Sequence, residues 1–174
     1  MAFRHGDEAE SHDFQRSIPA KDYETDMTAL ARKYRPRTLD DLRGQDALVR
    51  VIRQAISSGR IAQSYILTGV RGVGKTTTAR IIARCLNCEN GPTPDPCGQC
   101  RSCREIESDT SMDVMELDAA SRTGVQDMRD LLETVSYAPT KRGAWKVYIV
   151  DEAHMLSNSA WNAMLKTLEE PPER

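Results

Sequence analysis

The stretch YILTGVRGVGKTTTARIIARCL, residues 65–86, joins a short apolar run, a glycine-rich turn and a helical pattern. Residues 65–68 are an apolar run of the kind found in buried strands. The turn GVRGVGKT, residues 69–76, has the phosphate-loop pattern G-x-x-x-x-G-K-[ST] with every required residue present. Apolar side chains then recur at helical spacing, at Ala79, Ile82, Ala83 and Leu86. A strand that leads through such a loop into a helix is the context in which this pattern binds phosphate groups.

The glycine-rich turn has the chemistry that phosphate groups require. Gly69, Gly72 and Gly74 allow backbone conformations that side chains forbid, and they bring N–H groups close to phosphate oxygens. The N-terminus of the following helix adds the positive end of its dipole. We expect Lys75 to bridge the β and γ phosphates and the Thr76 hydroxyl to join the Mg²⁺ shell. The alternative, a turn without function, is disfavoured by the Gly-Lys-Thr ending.

A second motif, VYIVDEAH at residues 147–154, is an apolar strand pattern that ends in Asp151 and Glu152. Such a strand brings Asp151 to its carboxyl end beside the phosphate loop, where a carboxylate can hold Mg²⁺ directly or through water. Glu152 is then placed to orient or deprotonate an attacking water. The alternative, a solvated acidic turn, is disfavoured by the phosphate loop. The pair predicts hydrolysis of a nucleoside triphosphate, with ATP as the expected substrate.

Apolar periodicity predicts the remaining elements. Helices are predicted within residues 45–57, 125–135 and 161–168, and strands at 114–117 and 147–150. Pro171 and Pro172 are predicted to end the last helix. Strands that alternate with helices imply right-handed crossovers and a parallel sheet covered by helices on both faces. The predicted fold class is α/β.

Four cysteines follow the phosphate-loop helix with the spacing C-x8-C-x2-C-x2-C: Cys88, Cys97, Cys100 and Cys103. Two consecutive C-x-x-C steps place thiolates on tight turns that can converge on one tetrahedral ion. The intervening prolines and glycines predict a turn-rich loop. We predict a structural zinc site, since four thiolates leave no position open for water. Disulfides are the alternative, disfavoured because a cytosolic protein keeps its thiols reduced.

The fifth cysteine, Cys85, lies three residues before Cys88 on the predicted phosphate-loop helix. Free cysteine behaves as a small hydrophobic residue. We therefore predict that Cys85 is a buried or half-buried core residue and leave it out of the zinc ligand set.

Length and composition indicate a soluble globular protein. The 174 residues are 39% hydrophobic and 29% charged, which fits one domain rather than a disordered chain. No apolar run approaches the roughly 18 residues needed to span a bilayer, so we expect no membrane partner and a cytoplasmic location. Residues 1–27 carry three basic and seven acidic side chains and predict a disordered tail, which places the folded domain at 28–174. The net charge of -2 does not by itself indicate nucleic-acid binding.

The motifs form a specific set when they are taken together. They are Tyr34-Arg35-Pro36 with Gly44-Gln45, the loop GVRGVGKTTTARIIA, the four cysteines, ELDAASRTGV at 116–125, VYIVDEAHMLS at 147–157 and NAMLKTLEEPP at 162–172. The set closely resembles the γ/τ subunits of the bacterial DNA polymerase III clamp loader, over nearly everything from residue 30 to the end. Phosphate loops and Asp-Glu boxes occur in many ATPases, whereas the cysteine spacing in that position and LEEPP are far more specific.

The resemblance implies an AAA+ ATPase module, a P-loop NTPase with a zinc-binding insertion at 87–104. It implies that ATP binding lets a ring of clamp-loader subunits open a sliding clamp and grip primer–template DNA, and that hydrolysis releases the loaded clamp. The implied cofactors are ATP, Mg²⁺ and Zn²⁺. The implied nucleotide site comprises Gly69, Val70, Arg71, Gly72, Val73, Gly74, Lys75, Thr76 and Thr77, with Thr76 and Asp151 at Mg²⁺ and Lys75, Asp151 and Glu152 in catalysis.

The resemblance also assigns contacts beyond the phosphate site. Tyr34 and Arg35 would lie near the adenine, whereas composition alone favours a solvated lead-in for the cation-rich segment RKYRPR at 32–37. Helix N-termini around residues 121–124 and 157–159 would contact the DNA backbone.

The chain ends at Pro-Pro-Glu-Arg, where the resembled family continues into another strand, a polar sensor residue, an arginine-finger segment, a lid and an oligomerisation domain. We therefore expect an incomplete sheet and a partial protein. We also expect these 174 residues alone to hydrolyse ATP poorly.

Two other functions are compatible with parts of the sequence. Asp151-Glu152-Ala153-His154 spells a box found in nucleic-acid helicases, but such enzymes need a second domain that the remaining residues cannot form. A scaffold subunit that binds nucleotide without turnover is the other alternative. The intact residues Lys75, Thr76, Asp151 and Glu152 argue against it, because a subunit without turnover could lose them freely.

Overall fold

The computed structural model describes residues 33–121, 125–135 and 137–169. It contains five helices, α1 (Asp46–Ser57), α2 (Lys75–Asn87), α3 (Arg101–Glu107), α4 (Val125–Val135) and α5 (Asn158–Glu169), and two strands, β1 (Val114–Asp118) and β2 (Val147–Asp151), within that part of the chain. Single 3-10 turns lie at Leu39–Asp41 and Ala153–Met155. By its internal contacts the chain divides between Arg35 and Pro36. The tail predicted at 1–27 and the helix stop predicted at Pro171 and Pro172 lie outside the described residues.

The two strands form a parallel pair, as the alternation of strand and helix patterns predicts. Val114 of β1 is in register with Val147 of β2, and Asp118 is in register with Asp151. Helix α4 lies between the two strands along the chain, which is the connection that parallel strands require. The register brings the carboxyl ends of both strands to one edge, and each strand ends there in an aspartate.

The strand predicted at residues 65–68 is wrong for this structure. These residues have no regular secondary structure, and the side chain of Ile66 is 87% exposed. A strand requires a hydrogen-bonded neighbour, and within the described part of the chain β1 and β2 pair with each other. The apolar character of the segment was therefore not sufficient to form a strand.

A first core packs α1 against α2 and against the turn that precedes α1. The buried side chains are Leu39, Leu42, Ile52, Ile56, Ile81, Ile82, Cys85 and Leu86. Ile52 and Ile56 lie one turn apart on α1, so both face the same neighbour. Each such side chain contributes about 1.5–3 kcal/mol when it is fully buried. Cys85 is fully buried, which confirms that it is a core residue.

A second core joins the sheet to α4 and α5. Leu117 and Ala119 from the end of β1, Met128 from α4, and Leu156 and Ala160 around the start of α5 are buried together. Trp161 and Met164 pack at its margin, as their helical spacing predicts. Val150, the residue before Asp151, also packs at its margin, so this core lies next to the carboxyl end of β2.

Sequence analysis did not predict helix α3; it predicted a turn-rich loop between the cysteines, within a zinc-binding insertion at 87–104. The loop is correct as far as Cys100, whose Sγ accepts a hydrogen bond from the backbone N–H of Cys103 and caps the helix. Cys103 and Ile106 are buried on the face of α3 that packs against α2. The helical spacing of the two buried residues Cys103 and Ile106 was overlooked, because the cysteines were interpreted only as metal ligands.

None of the described helices has the length and apolar character needed to cross a membrane.

Candidate functional site

The phosphate loop has the backbone conformation that its glycines allow. Gly74 immediately precedes α2 with φ 95 and ψ 20, a left-handed conformation that a side chain would strain. Gly69 has φ 144, and a Cβ atom there would approach Cγ1 of Val73 to 3.2 Å. Helix α2 begins at Lys75, and the loop leads into a helix as the sequence predicts. The loop therefore delivers the chain directly into the N-terminus of a 13-residue helix.

Lys75 lies inside this loop. Its Nζ donates hydrogen bonds of 3.1 Å to the backbone oxygens of Gly69 and Val70. The ammonium group thus occupies the concave side of the turn and is held by neutral carbonyl groups. A phosphate oxygen carries more negative charge than a carbonyl oxygen, and it would form a stronger charge-assisted bond with the same ammonium.

Thr76 and Asp151 meet across the site. The Oγ1 atom of Thr76 donates to Oδ2 of Asp151 at 2.6 Å, and both side chains are partly buried. The hydroxyl comes from the first turn of α2 and the carboxylate from the last residue of β2. Hydroxyl and carboxylate oxygens are the ligands that Mg²⁺ prefers in proteins. The pair fits a magnesium site beside the phosphate loop, which is the arrangement that the two motifs predict.

Glu152 occupies an unusual backbone position next to Asp151. Its φ of 49 and ψ of 40 lie in the left-handed region, which costs on the order of 1–3 kcal/mol for a residue other than glycine. The backbone N–H of Glu152 donates to Oδ1 of Asp151 at 2.9 Å, and a 3-10 turn follows. The turn brings Nδ1 of His154 to 3.4 Å from Oε2 of Glu152. Asp151 and Glu152 therefore both lie at the end of β2, and their side chains contact different residues, Thr76 and His154.

The adenine and DNA contacts implied by resemblance stay predictions. Tyr34 and Arg35 are exposed, with Tyr34 at 74%. Ser157 caps α5, since its Oγ accepts a hydrogen bond from the backbone N–H of Ala160 at 3.2 Å. Residues 122–124 of the other predicted helix N-terminus lie outside the described residues.

The four cysteines of the predicted metal site converge. The Sγ atoms of Cys88, Cys97, Cys100 and Cys103 all lie within 4.8 Å of one another. A tetrahedral zinc ion with Zn–S bonds of about 2.3 Å places its sulfur ligands roughly 3.8 Å apart. The sulfurs are thus close enough to bind one ion after small adjustments. The five cysteines of the chain form no disulfide, and Cys85 is separate from the cluster.

The backbone around the cysteines favours bound thiolates. Backbone N–H groups donate to sulfur in three places, from Cys97 to Cys88, from Cys100 to Cys97 and from Cys103 to Cys100, at 3.3–3.4 Å. Hydrogen bonds from the N–H groups of Gln99 and Cys100 lower the pKa of Cys97 to about 6. Burial instead raises the pKa of Cys103 to about 12, so a cation is needed to hold that sulfur as a thiolate. The donor set fits Zn²⁺.

Burial also separates Cys85 from the cluster chemically. It raises the pKa of Cys85 to about 12, and the Cys85 thiol lies 3.7 Å from the backbone oxygen of Pro94. Cys85 therefore stays a neutral core residue that contacts the cysteine loop.

Ionic contacts that the sequence did not reveal attach the cysteine loop to the rest of the domain. Arg53 of α1 contacts Asp40 at 2.7 Å and Asp95 of the loop at 2.9 Å. Lys141 contacts Glu89 at 3.1 Å and Ser102 at 3.0 Å. Partners far apart in sequence carry no local pattern, which is why these contacts were not predicted.

Comparisons with known proteins agree with the motifs. A family model described as "DNA polymerase III, delta subunit" matches residues 44–174. The chain is 56% identical over 144 residues to the DNA polymerase III subunit tau of Escherichia coli (strain K12), covering 83% of this chain and 22% of that protein. It is 53% identical over 144 residues to the DNA polymerase III subunit gamma of Buchnera aphidicola subsp. Acyrthosiphon pisum (strain APS), covering 83% and 40%. It is 44% identical over 145 residues to the DNA polymerase III subunit tau of Bacillus subtilis (strain 168), covering 83% and 26%. The chain therefore spans well under half the length of these curated relatives.

Proposed function

The chain belongs to the DNA polymerase III subunit family, and we propose that it is the ATPase domain of a clamp-loader subunit. Gamma and tau subunits of DNA polymerase III are among its relatives. In this proposal it binds and hydrolyses ATP within a ring of related subunits. ATP binding lets the ring open a sliding clamp and grip primer–template DNA, and hydrolysis releases the loaded clamp.

The observation that carries the proposal is the contact between Thr76 and Asp151. The bond of 2.6 Å brings a hydroxyl and a carboxylate oxygen together one residue from Lys75. When bound, Mg²⁺ would supply positive charge that neutralises charge on the phosphates. Thr76 and Asp151 would hold that ion, directly or through water.

The remaining residues of the loop would bind the triphosphate. Backbone N–H groups of residues 69–77 and the N-terminus of α2 would donate to phosphate oxygens. Lys75 would exchange its bonds to the carbonyl groups of Gly69 and Val70 for bonds to the β and γ phosphates. That exchange keeps the ammonium inside the loop and changes its partners.

Glu152 is the residue we propose to orient the attacking water. It directly follows Asp151, its backbone is in the left-handed region, and its Oε2 atom lies 3.4 Å from Nδ1 of His154. Water would add to the γ phosphorus while the bond to the β-phosphate oxygen breaks, giving ADP and inorganic phosphate. The proton of the water would pass to the Glu152 carboxylate or to a phosphate oxygen.

The four cysteines would bind one structural zinc ion. Zinc would supply the crosslink that a short, proline-rich loop cannot obtain from an apolar core. Cys88 directly follows α2, so the ion would also anchor the end of the helix whose first turn carries Thr76.

The decisive experiment compares Lys75→Ala with the unchanged protein in an assembly with partner subunits, sliding clamp and primed DNA. We expect the DNA- and clamp-dependent ATPase rate to fall to the rate measured without this subunit. An unchanged rate would favour a scaffold subunit that has no turnover of its own. Strand unwinding in a duplex assay without a clamp would favour a helicase.

A further inference from the structure

Arg84 is a cation inside the protein. Its residue surface is 5% exposed, on the helix α2 that precedes the cysteine loop. Arg84 lies four residues before Cys88, and the backbone N–H of Cys88 donates to the oxygen of Arg84 at 2.9 Å. Side chains four residues apart lie on the same face of a helix. The guanidinium is therefore on the side of α2 where the first of the four sulfurs is found.

The contacts of the guanidinium place it against the cysteine loop. A Cβ atom on Gly98, the residue after Cys97, would lie 3.6 Å from Nη2 of Arg84. Nη1 donates to the backbone oxygen of Arg37 at 3.0 Å. Nε is buried and has no hydrogen-bond partner among the residues that the structure describes. A buried donor left in this way indicates that the hydrogen bonds alone do not explain the position of Arg84.

The carboxylate that contacts Arg84 also contacts a second arginine. Oε2 of Glu107 is 3.6 Å from Nη2 of Arg84, while Oε1 of the same carboxylate is 3.0 Å from Arg37. One negative charge is thus shared between two arginines. The shorter contact goes to Arg37, whose side chain is 65% exposed, and the longer one to Arg84, whose side chain is 6% exposed. Arginine remains charged in proteins, so the charge of Arg84 stays in place. Burying an unbalanced cation is costly, which calls for a negative partner nearby.

A divalent ion with four thiolates supplies that negative charge. Four cysteine thiolates and one Zn²⁺ carry a net charge of -2. At a partly buried position, the attraction between that charge and a guanidinium is screened much less than at the surface. The buried guanidinium needs a negative charge nearby, and the zinc–thiolate site needs a positive charge nearby, so each would stabilise the other.

We propose that Arg84 is the counter-cation of the four-cysteine metal site and raises the affinity of that site for divalent metal. The inference rests on the zinc site of the proposed function. It does not depend on ATP hydrolysis, because Arg84 lies at the opposite end of α2 from Thr76. Arg84 acts through its charge on the bound thiolates and is not itself a ligand.

A purely structural role for Arg84 predicts different results. If the side chain serves to tie α2 to Arg37 and Glu107, removing either Arg84 or Glu107 loosens the loop, and both changes weaken metal binding. If Arg84 balances the thiolate charge, removing Glu107 frees more of the positive charge for the metal site. The two substitutions then change metal affinity in opposite directions.

The test measures zinc affinity by chelator competition in the unchanged protein and in Arg84→Gln, Arg84→Lys, Glu107→Gln and Arg101→Gln. Arg101 is the matched control, because it lies between Cys100 and Cys103 but its side chain is 75% exposed and contacts Glu105. Absorption spectra with Co²⁺ in place of zinc report whether four thiolates still bind the ion. Circular dichroism reports folding.

We expect Arg84→Gln to weaken zinc binding by about 10- to 100-fold, the usual effect of losing a partner outside the ligand set. Arg84→Lys should keep most of the affinity because it keeps the charge. Glu107→Gln should bind zinc more tightly than the unchanged protein, and Arg101→Gln should change affinity by less than about twofold. The Co²⁺ spectrum should retain its four-thiolate form in each variant.

Three results would overturn the inference. They are unchanged affinity in a folded Arg84→Gln variant, equal losses in Arg84→Gln and Arg84→Lys, or a loss in Glu107→Gln as large as that in Arg84→Gln. If Arg84→Gln does not fold, the sign of the change in Glu107→Gln and the affinity of Arg84→Lys decide. Failure of the unchanged protein to bind zinc through four thiolates would remove both this inference and the proposed zinc site, while the nucleotide site would remain to be judged by the ATPase experiment.

Discussion

The hydroxyl of Thr76 lies 2.6 Å from the carboxylate of Asp151, although 75 positions of sequence separate the two residues. The first turn of α2 and the last residue of β2 are therefore in contact. Neither residue is informative alone, since threonines begin many helices and aspartates end many strands. Their contact beside Lys75 turns two sequence motifs into one site.

Replacing Asp151 with Asn should weaken nucleotide binding in the presence of Mg²⁺ by about tenfold or more, because a bond to a charged group contributes about 1.5–3 kcal/mol. Affinity measured with excess chelator should change little, since the carboxylate acts through the ion. Titration with a fluorescent ATP analogue, with and without Mg²⁺, measures both values. Asp118→Asn is the control, because Asp118 ends β1 in register with Asp151 but its Oδ1 caps the N–H of Ala120. Equal losses in both variants would contradict a magnesium role for Asp151.

Replacing Glu152 with Gln should separate binding from hydrolysis. The amide keeps the size of the side chain but cannot accept a proton, so the hydrolysis rate should fall by about 100-fold or more. Nucleotide affinity should stay within a few-fold of the original. Single-turnover hydrolysis and nucleotide titration in the reconstituted assembly give the two numbers. A normal rate would show that another group orients the water.

Removing metal should unfold the cysteine loop while much of the domain persists. A chelator, or the substitution Cys97→Ser, should abolish stoichiometric zinc and expose residues 88–103 to proteolysis. Cys85→Ala is the matched control, because Cys85 lies in the first core and outside the sulfur cluster. That variant should retain one zinc ion per chain in elemental analysis. Loss of zinc from Cys85→Ala alone would revise the ligand set.

Replacing Met128 with Ala should destabilise the domain by about 2–5 kcal/mol, since its side chain is 1% exposed in the second core. Leu168→Ala on α5 is the comparison, because Leu168 is 44% exposed and should cost much less. Chemical denaturation of both variants, monitored by circular dichroism, gives the difference. Similar losses would mean that the second core is packed differently.

Asp41 should contribute a pH-dependent stabilisation to the turn before α1. Hydrogen bonds from the backbone N–H of Arg37 and from Thr38 lower the pKa of Asp41 from its ordinary value of 3.8. The stabilisation is therefore present above pH 3.8 and is lost as the pH falls through the lower pKa of the folded protein. Asp41→Ala should lower stability at pH 7 by less than about 1 kcal/mol, because the carboxylate is exposed, and the difference from the unchanged protein should shrink below pH 3.8. A constant difference between pH 3 and pH 7, measured by thermal unfolding at about one-unit steps, would contradict this role for the charge.

Sequence patterns predicted best the helices and strands that bury one face or are stabilised by local interactions. Ile52 and Ile56 mark α1, and the apolar run that ends at Asp151 marks β2, because burial of one face leaves a period in the sequence. The same logic failed at residues 65–68, where an apolar run lacks a paired strand. Strand formation depends on a neighbour, and no property of Ile66 reveals whether that neighbour is present.

The candidate sites divide in the same way. The phosphate loop and the four cysteines are compact in sequence, so their spacing was sufficient to propose their chemistry. The contacts of Arg84 with Arg37, Gly98 and Glu107 join three separate segments and leave no motif. Long-range ionic contacts of this kind become visible only when the chain is folded.

Helix α2 has a further consequence. Its 13 residues make a rod about 20 Å long, with Thr76 in its first turn and Cys88 just beyond its last. A rod of three and a half turns resists bending, so a shift of one end must be shared by the other. Under the proposed function, triphosphate would bind at one end of this helix and zinc at the other, and by reciprocity the affinity for each should depend on whether the other is bound.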